Sequence, residues 1–248
     1  MKRFLVVQHS HAEFLGDLEK SFEDRAIGFV YQRPFTGQAL SANALQFDAL
    51  WLLGGAHPVT DRTACSWLDD ELRLIAAFRR AQRPVVGIGF GALLLAQAAG
   101  GKAHAEPLHN AYWTIAHATA SGRDDALARA VDGRKVLVLA NGRVDLPPAL
   151  APIAVGDSGE WLAIRPDAFS YGLLFRPELK PGMIEDMIME TERPLPEHIG
   201  EILQQAREYR DENRYTTEAA VAALVSELDL MRERHKPPVI NLSVVPKQ

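Results

Sequence analysis

Residues 84–95 read Pro-Val-Val-Gly-Ile-Gly-Phe-Gly-Ala-Leu-Leu-Leu, and no other stretch limits the fold so tightly. A short apolar run opened by proline, a bend dense in glycine and a second apolar run describe a buried strand, a sharp turn and a helix. This strand–turn–helix form holds a catalytic Ser or Cys at the tip of a strained elbow. Here the tip is Gly89, which has no side chain to attack with. The expectation is an elbow scaffold that lacks its nucleophile.

The segments around the elbow place it in a sheet. Phe4–Val7, Ala26–Tyr31 and Phe47–Leu53 read as strands, the last stopped by Gly54-Gly55. Helical spacing is predicted over about Ala12–Glu23 and over Trp67–Ala81, where Leu68, Leu72, Ile75, Ala76 and Phe78 recur. Strands alternating with helices predict an α/β fold, a mainly parallel sheet flanked by helices. Its ligands are expected at the carboxyl ends of the strands, where both glycine-rich turns lie. From about Ala103 to Phe175 short apolar runs separated by turn residues predict an antiparallel section. Those runs are Val136–Leu139, Ile153–Val155, Trp161–Ile164 and Tyr171–Phe175, and Met183–Met189 reads as a short helix. The break at Arg193-Pro194-Leu195-Pro196 divides residues 1–190 from a helical C-terminal extension, 191–248. In the extension His198–Arg210 and Thr217–Arg234 read as amphipathic helices, with Thr216 or Thr217 as N-cap. The apolar tail Val239–Val245 either packs back on the domain or serves contact with a partner or a second copy of the chain.

Charge and cysteine content narrow the function classes. A net charge of −5 with signs mixed along the chain argues against a nucleic-acid partner. The single cysteine, Cys65, excludes a disulfide framework and a Cys-rich zinc site. No apolar run nears the roughly 18 residues that span a membrane, and Met1–Val7 is too short for a signal peptide, so a cytoplasmic location and no membrane are expected.

Three short motifs in one order carry a resemblance: Leu53-Gly54-Gly55, then Gly87-Ile88-Gly89-Phe90-Gly91-Ala92-Leu93, then Phe175-Arg176-Pro177-Glu178. Over roughly residues 1–190 the chain resembles the class I, triad-type glutamine amidotransferase family. That likeness implies a flavodoxin-like glutamine amidotransferase fold with no cofactor and no metal. The family's motifs are G-x-C-x-G-x-Q and F-H-P-E, which supply a Cys nucleophile, a His base and a Glu that orients the His. In this chain Gly89 stands at the Cys position, Arg176 at the His position and Leu93 at the Gln position, leaving Glu178 from the triad. Hydrolysis by that route needs a thiolate and a proton-shuttling imidazole. Gly89 offers no attacking atom, and a guanidinium does not give up its proton near neutral pH.

The other parts of the site are expected to persist. The resemblance makes the backbone N–H groups of Gly55 and Phe90 oxyanion donors, and Arg176 adds a fixed cation beside Glu178. Gly55, Gly89, Phe90 and Arg176 are thus expected to hold a small anionic or amide ligand without turning it over, or else Arg176 and Glu178 form a salt bridge that fills a dead site. The functional expectation is a glutamine amidotransferase-like protein with a degenerate triad, without glutaminase activity. It would act as a binding or regulatory subunit beside a synthetase or another enzyme of nitrogen or amide metabolism, as a homo-oligomer through the extension. The alternatives are a repurposed hydrolase of a γ-glutamyl or other small amide compound, with Glu178 activating water, and a scaffold module with a closed pocket.

Other reactive residues carry less. His9, His11 and Glu13 follow the first strand in a pattern open to metal ligation, but a third ligand is not indicated and a loop at the sheet edge is the favoured reading. Cys65 lacks a base nearby in sequence. Thr60 and Ser170 need a base from among His57, His104, His109 and His117, and spacing selects none of them.

Overall fold

The computed structural model describes residues 2–41, 43–105, 108–190, 195–232 and 234. Its first half alternates strands and helices: β1 (Lys2–Val7), α1 (Asp17–Glu23), β2 (Ile27–Gln32), β3 (Ala49–Leu52), α2 (Leu68–Arg80), β4 (Val85–Ile88) and α3 (Phe90–Ala98). Phe4–Val7 and all of β3 and β4 are fully or almost fully buried. Continuous apolar runs of this kind belong to strands covered on both faces, the environment of a parallel sheet.

The second half supplies β5 (Lys102–Ala103), β6 (His109–Ile115), β7 (His117–Ala118), α4 (Ala126–Val131), β8 (Lys135–Asn141), β9 (Val144–Asp145), β10 (Ala154–Val155), β11 (Trp161–Asp167), β12 (Ser170–Leu173) and α5 (Pro181–Met189). The main sheet runs in the order β2-β1-β3-β4-β12-β11-β10-β7. β2, β1, β3, β4 and β12 are mutually parallel, and β11, β10 and β7 continue antiparallel. The fold class read from the sequence is thus the one observed, with one shift of boundary. Tyr171 lies in β12, a full member of the parallel core beside β4, and the antiparallel part of the sheet begins one strand later. The β6–β8 ladder, seven residues long, forms a separate two-stranded antiparallel sheet, its strands joined through β7 and α4, and the apolar pattern did not reveal its first strand. β6 reads His-Asn-Ala-Tyr-Trp-Thr-Ile, polar at its start, so its period-two signal is weak.

Two helices, α6 (Ile199–Glu208) and α7 (Arg210–Glu227), are joined by a single residue, Tyr209. The N-cap expected at Thr216 or Thr217 is corrected: both lie inside α7. Their hydroxyls donate to backbone carbonyls, Thr216 to Glu212 at 3.0 Å and Thr217 to Asn213 at 2.8 Å and Pro177 at 2.5 Å. A Ser or Thr hydroxyl that bonds one turn back is compatible with a helix interior. Ala220, Val221 and Leu224 of α7 join the main core, while α6 packs with α5 on the β6–β8 sheet around Leu137, Leu139, Met183 and Ile202. The expected apolar tail 239–245 and the break at 193–194 lie outside the described residues. Among those described, no helix is long and apolar enough to cross a membrane.

Candidate functional site

Four adjacent strands of the parallel sheet deliver their carboxyl ends to one place. β1 runs into the loop bearing His9 and Glu13, β3 into Gly54-Gly55, β4 into Gly89, and β12 into Arg176 and Glu178. Strand order reverses between β1 and β3, which is where open α/β sheets place their sites. Backbone bonds fix the ends in register: Leu53 N–H donates to Val7 O at 3.0 Å, Gly91 N–H to Leu53 O at 3.0 Å and Gly89 N–H to Leu173 O at 2.8 Å.

Gly89 has φ 55° and ψ −112° and caps the amino end of α3. This is elbow geometry in a backbone region that glycine adopts readily and other residues only under strain. The space beside it is taken. A Cβ on Gly89 would lie 2.9 Å from Arg176 Cδ, 3.2 Å from Nε and 3.3 Å from Nη1, so a longer side chain there requires Arg176 to move. Gly54 is constrained from the other side, where a Cβ would overlap Glu13 Oε1 and Arg176 Nη2.

Arg176 is 1% exposed, and Glu13 and Glu178 are fully buried. Its Nε donates to Glu178 Oε1 at 2.6 Å, and its Nη1 donates to Leu139 O at 2.8 Å and sits 2.9 Å from Glu13 Oε1. Ser10 Oγ donates to Glu13 Oε2 at 3.0 Å. One guanidinium thus faces two carboxylates. Burial acts against the charge on Arg176, but Glu178 and Glu13 outweigh it and hold its pKa above the usual value. Burial pushes Glu178 above the ordinary carboxyl range, against the pull of Arg176. The balance is what physics expects where two buried acids share one cation: the second negative charge is the one suppressed.

His9 closes the site on its other flank. Its Nδ1 lies 3.1 Å from Leu53 O and 3.0 Å from Gly54 O, and its Nε2 lies 2.7 Å from Glu71 Oε1. Carbonyls accept only, so Nδ1 carries hydrogen, and Nε2 donates to the carboxylate in the imidazolium form. Burial alone would lower the pKa of His9, but the charge and hydrogen bond of Glu71 more than offset it and raise it. The His9 ring packs on Phe90 with centroids 4.6 Å apart, and Phe90 is 1% exposed.

Of the residues read from sequence, the fold brings Gly55, Gly89, Phe90, Arg176 and Glu178 together, and the space they enclose is filled. The cavity bordering Gly55 measures about 10 Å³, below or at the size that holds one water. His11 parts from His9 and packs on Phe35 with ring centroids 4.7 Å apart. Cys65 is buried, and its thiol is pushed up to about 12 by burial with Asp61 and Glu71, which suppresses the thiolate. Thr60 Oγ is directed to His104 O at 3.4 Å, and Ser170 begins β12 at the opposite end of the sheet. The four histidines considered as bases are engaged elsewhere: His57 with Asp61, His104 with Asp145, His117 with Asp157 and His109 with Asn141. Glu71 was missed although a signal existed. It interrupts the buried stripe of α2 formed by Leu68, Leu74, Ile75 and Phe78, and an acid on an apolar stripe marks a buried partner.

This architecture is the glutamine amidotransferase fold. The structure is similar to a glutamine amido transferase from Methylobacillus flagellatus, with TM-score 0.79 and 20% identity over 97% of this chain and 100% of that one. It is also similar to a glutamine amidotransferase from Thermotoga maritima, with TM-score 0.74 and 18% identity over 90% and 98%. In sequence, 101 residues are 37% identical to the glutamine amidotransferase-like protein YfeJ of Salmonella typhimurium, a match that spans 40% of this chain and 42% of that relative. No protein-family model matches the chain.

Proposed function

We propose that this chain is a member of the class I glutamine amidotransferase family with a degenerate triad. In this reading it lacks glutaminase activity and acts as a binding or regulatory subunit beside an enzyme of nitrogen or amide metabolism. The observation that carries the reading is the packing of Arg176 against Gly89, with Cδ 2.9 Å from where a side chain would begin. The elbow keeps its turn geometry, yet it presents backbone where a thiolate must stand, and the residue beside it holds its proton. Arg176 is neutralised from within by Glu13 and Glu178, so the cluster offers little net attraction to an external carboxylate. The alternative hydrolase reading asks Glu178 to activate water, but its Oε1 is held by Arg176 at 2.6 Å and the residue is fully buried.

Ammonia release from L-glutamine tests the first part. The purified chain is expected to match the uncatalysed rate, and release well above that rate, abolished by Arg176→Ala, overturns the reading. The subunit role is tested by co-purification of the tagged chain from its own cells. The expected partner is an amide-forming synthetase or a related nitrogen enzyme whose rate changes when the chain is added.

A further inference from the structure

Leu93, one turn along α3 from the elbow, borders a second and larger space that Arg176 does not line. This cavity, about 520 Å³, is bounded by Leu93 of α3, Tyr112 of β6, Val144 of β9, Trp161 of β11, Leu174 after β12, and Glu160. Its volume falls in the range of small-molecule sites. Leu93 and Leu174 are buried and give it apolar walls. Trp161 donates its indole N–H to Val144 O at 3.0 Å, so it has spent its donor and offers a ligand its ring.

Glu160 sets the charge. Its Oε2 accepts Ser158 N–H at 3.1 Å, and the Tyr112 hydroxyl is bonded to the same carboxylate. Burial and the nearby Glu160 charge push Tyr112 up to about 12, so it stays a neutral donor at physiological pH. Among the described residues no Lys, Arg or His forms an ion pair with Glu160. The cation at the cavity, Arg143, is matched to Asp145 at 3.1 Å, and Asp145 also meets His104 at 2.7 Å. With Arg143 and Asp145 paired, Glu160 is a carboxylate at the cavity with no ion-pair partner among the described residues, and its bonds come from the neutral donors Ser158 and Tyr112.

We propose that this cavity binds a small molecule carrying a protonated amine on an apolar or aromatic body. A carboxylate beside Tyr and Trp faces attracts a cation both by charge and through the ring quadrupoles, and it repels an anion. The apolar walls favour a hydrocarbon body over the carboxylate-bearing end of an amino acid. The site goes beyond the noncatalytic reading of the elbow and stands whether or not that reading holds.

The probes are 2-phenylethylamine, tryptamine and cadaverine, with neutral 2-phenylethanol and anionic 3-phenylpropionate as matched bodies, titrated into the full-length chain by calorimetry. At least one amine is expected to bind at least tenfold more tightly than the alcohol, with no saturable binding of the acid. Glu160→Gln should erase the preference of amine over alcohol, and Leu93→Trp, which fills the cavity, should remove binding of the amines and the alcohol alike. Circular dichroism confirms that each variant is folded, and Tyr112→Phe serves as a milder variant expected to weaken amine binding a few-fold. The proposal is overturned by failure of all three amines to bind, by an acid that binds as well as the amine, or by a preference that survives Glu160→Gln in folded protein.

Discussion

Phe90 and Leu93 stand three residues apart at the start of one helix, and the spaces beside them differ in every property that concerns a ligand. The space at Phe90 is occupied by the chain itself, with His9, Glu13, Arg176 and Glu178 all at 5% exposure or less. The space at Leu93 is open, about 520 Å³, and retains a carboxylate without a cation. What separates them is where the compensating charge comes from. At the elbow every buried acid has an internal cation within 3 Å: Glu71 has His9, and Glu13 and Glu178 share Arg176. A vacated elbow would leave both a void and a set of buried acids, and one arginine answers both because its stem fills volume while its head carries charge. At the cavity, Glu160 is bonded only by neutral donors, Ser158 N–H and the Tyr112 hydroxyl, among the described residues, so its charge is the one a ligand cation would meet.

The sharpest way to break this contrast is to remove the internal cation. Arg176→Met leaves Glu13 and Glu178 buried without their cation and is expected to cost about 3–5 kcal/mol in urea unfolding, the usual cost of stranding a buried charge. Adding Glu13→Gln and Glu178→Gln in the same chain should recover most of that loss, since a buried ion group replaced as a whole is often neutral in stability. A loss below about 1 kcal/mol for the single variant would mean that the cluster is not the electrostatic unit described here.

Next in size is the elbow. Gly89→Ala must hold φ near 55° and place its Cβ 2.9 Å from Arg176 Cδ, for which a loss of about 1–3 kcal/mol is expected from strain and overpacking together. Gly89→Cys should be destabilised likewise and remain silent with glutamine, because its neighbour is still an arginine. In Gly89→Cys/Arg176→His the total loss should be smaller than the sum of the losses of the two single variants, and strictly additive losses would show that Arg176 is not what crowds position 89.

How far the sequence foretold this site follows from the range of each interaction. The elbow was legible because its geometry is written in contiguous residues: a strand, glycines and a helix start leave few alternatives. The Arg176–Glu178 pair was legible because two residues separate the partners in chain order. Glu13 and Glu71 were not placed, since each meets its partner only after strands far apart in sequence are laid side by side. The nature of the pocket was likewise out of reach: Arg176 reads as a cation on offer to a ligand until Glu13 is seen on its other face. Thr216 and Thr217 signal an N-cap when viewed alone, but in the interior of α7 their hydroxyls bond one turn back, and Thr217 also reaches the Pro177 carbonyl, a partner far away in sequence.

A smaller effect, distributed over pH, tests the other internal pair. The folded pKa of His9 is raised above the ordinary histidine value of 6.5, chiefly because Glu71 outweighs burial. A raised value means that the stability gained from the pair is fully present below the unfolded pKa and is lost as pH rises through the folded one. Glu178, raised above 4.5 by burial, acts with the same sign, since its charged form is the one the fold disfavours. The thermal midpoint should therefore fall as pH rises above the ordinary histidine value of 6.5. His9→Gln should flatten that slope while lowering the midpoint at the acid end. A midpoint that rises over this range, or a slope that His9→Gln leaves unchanged, removes the imidazolium from the account.

The smallest effect belongs to the cavity rim, where the same chemistry sits in water. Arg143 pairs with Asp145 at 3.1 Å, a distance close to those of Arg176, but the two side chains are 58% and 51% exposed. Exposed pairs are screened by solvent and salt and hold long side chains at an entropic cost, so geometry alone does not give them weight. Arg143→Ala is expected to leave the unfolding midpoint within experimental scatter at physiological salt, in contrast to Arg176→Met. The variant has a second use. It strips the rim of its cation while keeping Asp145 and Glu160, making the cavity more negative, so the affinity of a bound amine should rise by a few-fold at low salt and the gain should fade as salt is added. A midpoint shift as large as that of Arg176→Met would erase the distinction between a charge satisfied inside the fold and one displayed at its edge.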